Sequence, residues 1–368
     1  MSLPPPVAAS PAAPPTPRNL GLDRARAVAV IAMVMGHTLD AVLSDAARDG
    51  TGMLAYWSMR AVTAPLFLFV AGWAFAATVQ RTGARGLALP RRYGPRVAVL
   101  LAWGYALRWP GWAWPALRAG EPSVWRSFLA FDALHGVAGA LLLGTLVLAW
   151  VGGRVARMGA LGGLALLFAL VTPAVREAVS SGGWPLALEQ ALAGRTSNFP
   201  LFPWAAYFFV GGVAGLGLAS VRRVPQWLCL AGPGTGVLVL MSLWGGDPRV
   251  SDVTLVVWRL GLLTVVAGAA MLLPAAWDGA LGPVGRASLW VYVVHLPLAY
   301  GWSSYAGLAG RLGRSQDVPS ALLLALAVLA VSLALALPAK KLYGRLRADR
   351  PGERGGPPGL PSRSSLPL

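Results

Sequence analysis

The sequence predicts an all-α, polytopic integral membrane protein of about ten transmembrane helices, with the N-terminus and C-terminus both cytoplasmic. Three observations carry this prediction. Of the 368 residues, 56% are apolar and only 12% are charged, about half the charged share of a soluble domain, and mean hydropathy is +0.60. Ten stretches approach the roughly 20 apolar residues that a bilayer-spanning helix needs. The basic residues are divided unequally between the loops that these stretches define.

The same composition excludes two other classes. A soluble fold of this size has too little polar surface to cover so much apolar material. The net charge of +17 would suit a nucleic-acid partner only if the cations lay on one hydrophilic face. Here they are scattered between apolar runs, so no nucleic acid is expected. The single cysteine, Cys229, lies in an apolar run and reads as a small buried hydrophobe. It can form neither an internal disulfide nor a cysteine-based metal site, and no metal is expected.

Taken in order, residues 1–18 form a Pro/Ala-rich tail with little to bury. This tail is expected to stay disordered and lacks the basic start of a cleavable signal peptide. Residues 19–348 form the membrane domain. Its spans are read at 22–43, 53–79, 93–109, 132–152, 157–173, 199–219, 225–244, 254–273, 286–306 and 319–339. Residues 349–368 form a second, basic tail of the same disordered kind. With the N-terminus inside, the inner segments hold twenty Lys and Arg residues and the outer segments nine, with Arg60 and Arg259 inside spans. That bias follows the positive-inside rule. The expected location is the bacterial cytoplasmic membrane, crossed several times and in contact with its lipids.

Pro65 within APLFLFVAGWAFA is expected to kink the second span. NFPLFPWAAYFFVGGVAG opens the sixth span with Pro200 and Pro203, and its Gly211, Gly212 and Gly215 suit close helix contact. Five tryptophans lie between Trp103 and Trp125. They read first as an interfacial belt at the outer face and second as a surface on which a sugar could stack.

Ionisable groups inside spans are costly and are functional candidates by default. The chain has three histidines, His37, His135 and His295, all in spans or at their edges. Arg26 and His37 are eleven residues apart, which is about three helical turns, so they share one helix face. Asp23 and Asp40 lie three residues outside each of them, close to the same stripe. In the ninth span Ser288, Tyr292 and His295 also share a face. Arg60 and Arg259 enter the second and eighth spans from the outer side, where they either reach a pocket or snorkel to the interface. Asp132 and His135 open the fourth span. Convergence of these groups on one polar pocket at middle-to-outer depth is the expectation, with His295, Tyr292, Arg60, Arg259, Asp132 and His135 as substrate-binding candidates.

The strings LDRARAVAVIAMVMGH, APLFLFVAGWAFA, FDALHGVAGALL, NFPLFPWAAYFFVGGVAG and GRASLWVYVVHLPL occur in that order. Together they resemble the heparan-alpha-glucosaminide N-acetyltransferase catalytic-domain family. The first helix is also similar to the broader acyltransferase-3 membrane proteins. The resemblance implies transfer of an acyl group, usually acetyl, from cytoplasmic acyl-CoA to a glycan, amino-sugar or lipid-linked acceptor on the far side. The acyltransferase-3 pattern of Arg, ten residues, then His maps onto Arg26 and His37, and its acid onto Asp23. Ala27 stands where that group commonly has Gly.

On this reading His37 acts at the thioester, either as a general base or as a covalent acyl acceptor. Asp40 would orient the imidazole. Acetyl-CoA or another acyl-CoA is the expected co-substrate, with Arg26 and the loop Arg81, Arg85, Arg91, Arg92 and Arg96 near its phosphates. Self-association into a homo-oligomer is left open. The rival class is a proton-coupled small-solute transporter using intramembrane His, Arg and Asp, although the paired inverted repeats common in transporters are not evident. A catalytically inactive scaffold is a third reading.

Overall fold

The computed structural model describes residues 19–218, 221 and 225–348. The two predicted tails lie outside the described residues, apart from the membrane domain between them. Every regular element within the described residues is helical. Seven helices are long and apolar enough to cross a membrane, or eight if one bent pair counts as a single span.

The first, α1 (Leu20–Val42), is capped by Asn19, whose side chain accepts from the Leu22 amide. The predicted second span is two helices, α2 (Thr51–Arg60) and α3 (Thr63–Thr82). Pro65 falls in the first turn of α3, where its missing N–H costs no helical bond. An unbroken helix would drive the Pro65 ring into the carbonyl four residues earlier. The proline therefore separates two helices, and the expected kink within one helix does not occur.

Helix α4 (Ala88–Leu107) begins earlier than its predicted span and carries Arg91, Arg92 and Arg96 in its first half. Next come α5 (Ala133–Trp150) and the pair α6 (Arg154–Leu170) and α7 (Thr172–Ser180), which meet at 49°. Pro173 again lies in a first turn. The remaining spans are α8 (Leu201–Leu218), α9 (Gln226–Trp244), α10 (Asp252–Met271) and the long α13 (Val318–Ala348). The predicted span at 286–306 is interrupted: α11 (Asp278–Arg286) turns at Ala287 into α12 (Ser288–Tyr300). At 13 residues, α12 rises only ~20 Å. It ends at Gly301, whose φ of +97° suits glycine.

The core lies where α3 and α8 cross, joined by α1, α5, α6 and α10. Phe69, Tyr207, Phe208 and Phe209 are fully buried there. Helices α9 and α13 bury little of their length, as expected for lipid-facing elements. Helix α1 is held at its basic end by a bidentate contact from Arg24 to Asp278, 2.6 and 2.8 Å. Arg24 also donates to the carbonyl of Met271, and its guanidinium holds the Asp278 carboxyl below the usual carboxylate range.

Arg157, read from sequence as one of the inner positive charges, is 2% exposed. It donates to the carbonyls of Val151, Val79 and Ala84 and to the Gln80 side chain. A cation thereby caps the C-terminal ends of α3 and α5 together. Arg157→Ala would remove the donor to the half-buried Val151 and Ala84 carbonyls, at a cost of ~1–3 kcal/mol each, while the Val79 carbonyl keeps the Gly83 amide. We expect that variant to lose thermal stability in detergent by several degrees or more, measured by the loss of monodisperse protein on heating. Arg81→Ala, on the exposed end of α3, should not.

Candidate functional site

The polar groups of α1 are brought to neighbours by short elements at the end opposite the Arg-rich loop. Arg60, the last residue of α2, lies across α1 at Gly36, where a Cβ would sit 2.9 Å from Arg60 Nε. Glycine at position 36 makes room for that guanidinium. Arg60 reaches Asp40 at 3.3 Å. Arg48 reaches the same oxygen at 3.3 Å and donates to the Asp40 carbonyl at 2.5 Å. Tyr300, at the end of α12, donates to the other carboxylate oxygen at 2.9 Å. The Trp57 ring lies beneath both guanidiniums, 5.0 Å from Arg48 and 5.3 Å from Arg60. A half-buried carboxylate held by two cations and a phenol is a fixed anion, in keeping with the rule that buried charges are paired.

His37 sits one turn before Asp40. Its ring centroid is 5.2 Å from that of His295 and 5.6 Å from that of Tyr300. It therefore faces protein side chains. Its Nδ1 is buried without a hydrogen-bond partner. His295 is fully buried, and its Nδ1 lies 2.9 Å from the carbonyl of Val291. A carbonyl only accepts, so Nδ1 carries the proton and Nε2 is the lone-pair nitrogen. That Nε2 is also buried and unpartnered. The predicted face of Ser288, Tyr292 and His295 is buried throughout, and the Tyr292 ring is 5.6 Å from His295.

The Tyr292 hydroxyl meets the backbone amide of Ala133, which connects this cluster to the start of α5. There Arg108 pairs with Asp132 at 2.8 Å, and Asn198 donates to Asp132 at 3.3 Å. His135 accepts from the Asp132 amide at 3.2 Å, stacks on Phe131 and packs edge-on to Tyr105. These contacts make His135 and Asp132 the cap of α5.

The expected convergence is thus partial. His37, Asp40, Arg60 and His295 meet, and Tyr292 bridges them to Asp132 and His135. Arg259 stands apart: it lies 5.4 Å over Trp204, on the α8 side of α10. Asp40 is engaged by Arg48, Arg60 and Tyr300, so its side chain ties α1 to the ends of α2 and α12. Sequence reading missed Arg48, Trp57 and Tyr300. Their signal was the lone acid Asp40 at a helix end, which needed cations from outside its own helix.

A second feature opens toward the Arg-rich end. A cavity of about 90 Å³ lies between α1, α3, α4, α5, α8 and α12. Arg26, Tyr93, Arg96 and Ser288 give it polar walls, and Phe75, Leu134 and Phe208 are among its apolar ones. Arg26 and Asp23 form a 3.6 Å pair on α1. Arg92 does not line the cavity; Arg96, one turn further along α4, takes that place. Ser288 is seven residues from His295, or ~10 Å along the helix. His37 and His295 themselves are not among the cavity walls. Among the described residues no three His, Cys, Asp or Glu side chains group as metal ligands.

The chain therefore combines seven helices apolar enough to cross a membrane with a two-histidine cluster and a separate cavity lined by arginine. The family model for the catalytic domain of heparan-alpha-glucosaminide N-acetyltransferase matches residues 18–242. The chain belongs to that family, and membership points to membrane acetyltransferase activity in general, with acetyl-CoA as the family's usual donor. The match covers His37, Asp40, Arg60 and the walls of the cavity on α1, α3, α4, α5 and α8. It ends before Arg259, Tyr292, His295 and Tyr300. A comparison with individual curated proteins finds no match.

Proposed function

We propose that this protein transfers an acyl group, acetyl in the first instance, from acyl-CoA on the cytoplasmic side to a saccharide or amino-sugar acceptor on the outer side. The observation that carries this reading is the contact of His37 with His295 and Tyr300 beside an anchored Asp40. We place the chain in the bacterial cytoplasmic membrane. Ten spans put both termini inside, the two shorter or more charged ones being α4 and the α11–α12 pair.

Acyl-CoA would enter at the arginine-rich end. Arg26 and Arg96 suit its phosphates, since guanidinium groups bind phosphate oxygens in charge-assisted, bidentate fashion. The apolar walls of the cavity suit the acyl arm and keep water from the thioester. Growth of the cavity by about two helical turns along α12 would bring the thioester to the histidines. His37 then takes a proton from the acceptor N–H or O–H. The freed nitrogen or oxygen bonds to the thioester carbon, the carbon–sulfur bond breaks, and the leaving thiolate recovers the proton. His295, with its proton fixed on Nδ1, offers Nε2 to a charged His37. The resemblance of the first helix to acyltransferase-3 proteins, through Arg26 and His37, supports the same roles.

The primary test incubates purified protein in liposomes with labelled acetyl-CoA and an amino-sugar acceptor. Labelled sugar together with free CoA supports the reading. Solute flux without acetyl-CoA consumption rejects it in favour of transport. Arg26→Ala should raise KM for acyl-CoA roughly tenfold, the equivalent of one lost charge-assisted contact, with little change in acceptor KM. Equal effects on the two substrates would remove Arg26 from the donor site.

A further inference from the structure

The outer tryptophan segment forms a built surface beside the histidine cluster. Between α4 and α5 the chain makes two short helices, Trp114–Arg118 and Pro122–Leu129. Trp109 and Trp114 stack face to face, with centroids 4.7 Å apart and planes at 24°. They nevertheless remain 41% and 40% exposed, and Trp112 is 83% exposed. Beside them a cleft of about 250 Å³ is lined by Arg108, Pro110, Ala113, Ser123, Ser127 and Phe128.

This surface is joined directly to the proposed catalytic cluster. Two residues after Tyr300, Trp302 donates its indole N–H to the carbonyl of Ala106 at 2.7 Å. Trp302 and Tyr305 close a small hairpin with two backbone bonds. Gly111 packs against that hairpin, where a Cβ would lie 2.7 Å from the Ser303 Cα, and its φ is +55°. The tryptophan loop thus rests on the residues that follow the Asp40 ligand Tyr300. Arg108, on the wall of the cleft, is the partner of Asp132.

Belt indoles keep the ring in the apolar layer and turn the N–H toward headgroups and water. Here two of the N–H groups point the other way. Trp125 donates to the Leu117 carbonyl and Trp302 to the Ala106 carbonyl, while Trp302 stays 44% exposed. Those two indoles are locked to the protein through their polar edges, while Trp109 and Trp114 are held by stacking on each other and keep part of their rings exposed. Rigid ring faces beside hydroxyls (Ser123, Ser127) and a fixed ion pair match a pyranose, which has an apolar C–H face and a rim of hydroxyls. A lipid chain would have no use for the polar wall.

We infer that the cleft at Arg108–Phe128, with the Trp109–Trp114 pair at its edge, is the binding site for a pyranose ring of the saccharide acceptor. The inference rests on the acyl-transfer reading for its place in catalysis, but its test does not depend on transfer. The probe is a labelled glucosamine trisaccharide, measured by equilibrium dialysis against the full chain in detergent.

Saturable binding should weaken roughly tenfold or more when both rings are removed by Trp109→Ala with Trp114→Ala, as for an aromatic anchor. Trp150→Ala, a still more exposed tryptophan at the far end of α5, should leave it unchanged. Ser123→Trp, which fills the cleft and keeps the pair, should weaken binding likewise, so the test survives if the double variant does not fold. Unaltered trisaccharide affinity in the double variant or in Ser123→Trp overturns the inference, as does a wild-type chain that does not bind the probe. Loss of acetyl-CoA binding by the wild-type chain would instead refute the acyl-transfer reading alone.

Discussion

His37→Ala should lower acyl transfer by roughly 10²–10⁴-fold, the usual contribution of a positioned general base, while the protein still inserts and purifies normally. The stability expectation follows from the contacts. The His37 ring touches His295 and Tyr300 by ring packing, and its buried Nδ1 has no hydrogen bond to lose. Truncation therefore leaves no newly orphaned partner, whereas loss of a hydrogen-bonded side chain at the same depth would. The effect should fall on kcat with acyl-CoA KM little changed, because His37 does not line the cavity assigned to the donor. Incubation of the wild-type protein with labelled acetyl-CoA and no acceptor separates the two routes. Label retained on the wild-type chain and absent from the variant identifies a covalent acyl-histidine. Label on neither chain, with normal turnover by the wild type, identifies direct transfer. Near-normal turnover by His37→Ala would remove this histidine from the mechanism.

The architecture was legible in the sequence wherever a long apolar run coincided with one helix. Spans at α1, α5, α8, α9 and α10 begin and end within a few residues of their predicted limits. It was misread where proline or polarity altered the run. Pro65 begins a helix, and Ala287 turns one helix into the next. Helical periodicity placed Ser288, Tyr292 and His295 on one buried face, because that relation is local to a single helix. The meeting of His37 with His295 depends on how α1 and α12 pack, which no spacing within either helix encodes. Arg48 and Tyr300 were missed for the same reason. Arg48 counts among the outer-loop charges until Asp40 is seen between it and Tyr300. Arg259 shows the opposite case: its depth resembles that of Arg60, but its helix faces Trp204 and turns it away from the cluster.

Among the described residues, Gly72→Ala should cause the largest loss of stability of any glycine-to-alanine substitution, and Gly211→Ala a comparable one. The two glycines are reciprocal. A Cβ on Gly72 would collide with the Phe208 carbonyl on α8, and a Cβ on Gly211 with the Phe69 carbonyl on α3. Gly215 repeats the contact one turn on, 2.7 Å from the Trp73 carbonyl. In lipid there is no hydrophobic drive between helices, so close backbone approach at small residues provides much of the attraction. The obstacle is main chain on a packed helix, which has no rotamer to yield. The cost should therefore reach or exceed the ~1–3 kcal/mol typical of overpacking. Separation of α3 from α8 would also move Phe208 and Phe75, which wall the cavity assigned to the donor, so any folded fraction should show a raised KM for acyl-CoA. Gly163→Ala on α6 provides the matched control. Nothing lies within 4 Å of its Cβ position, and alanine is the better helix former by ~1 kcal/mol. Its expected effect is neutral to stabilising. Thermal unfolding of the three variants in the same detergent decides the point: equal behaviour of Gly72→Ala and Gly163→Ala would mean that α3 and α8 do not meet backbone to backbone.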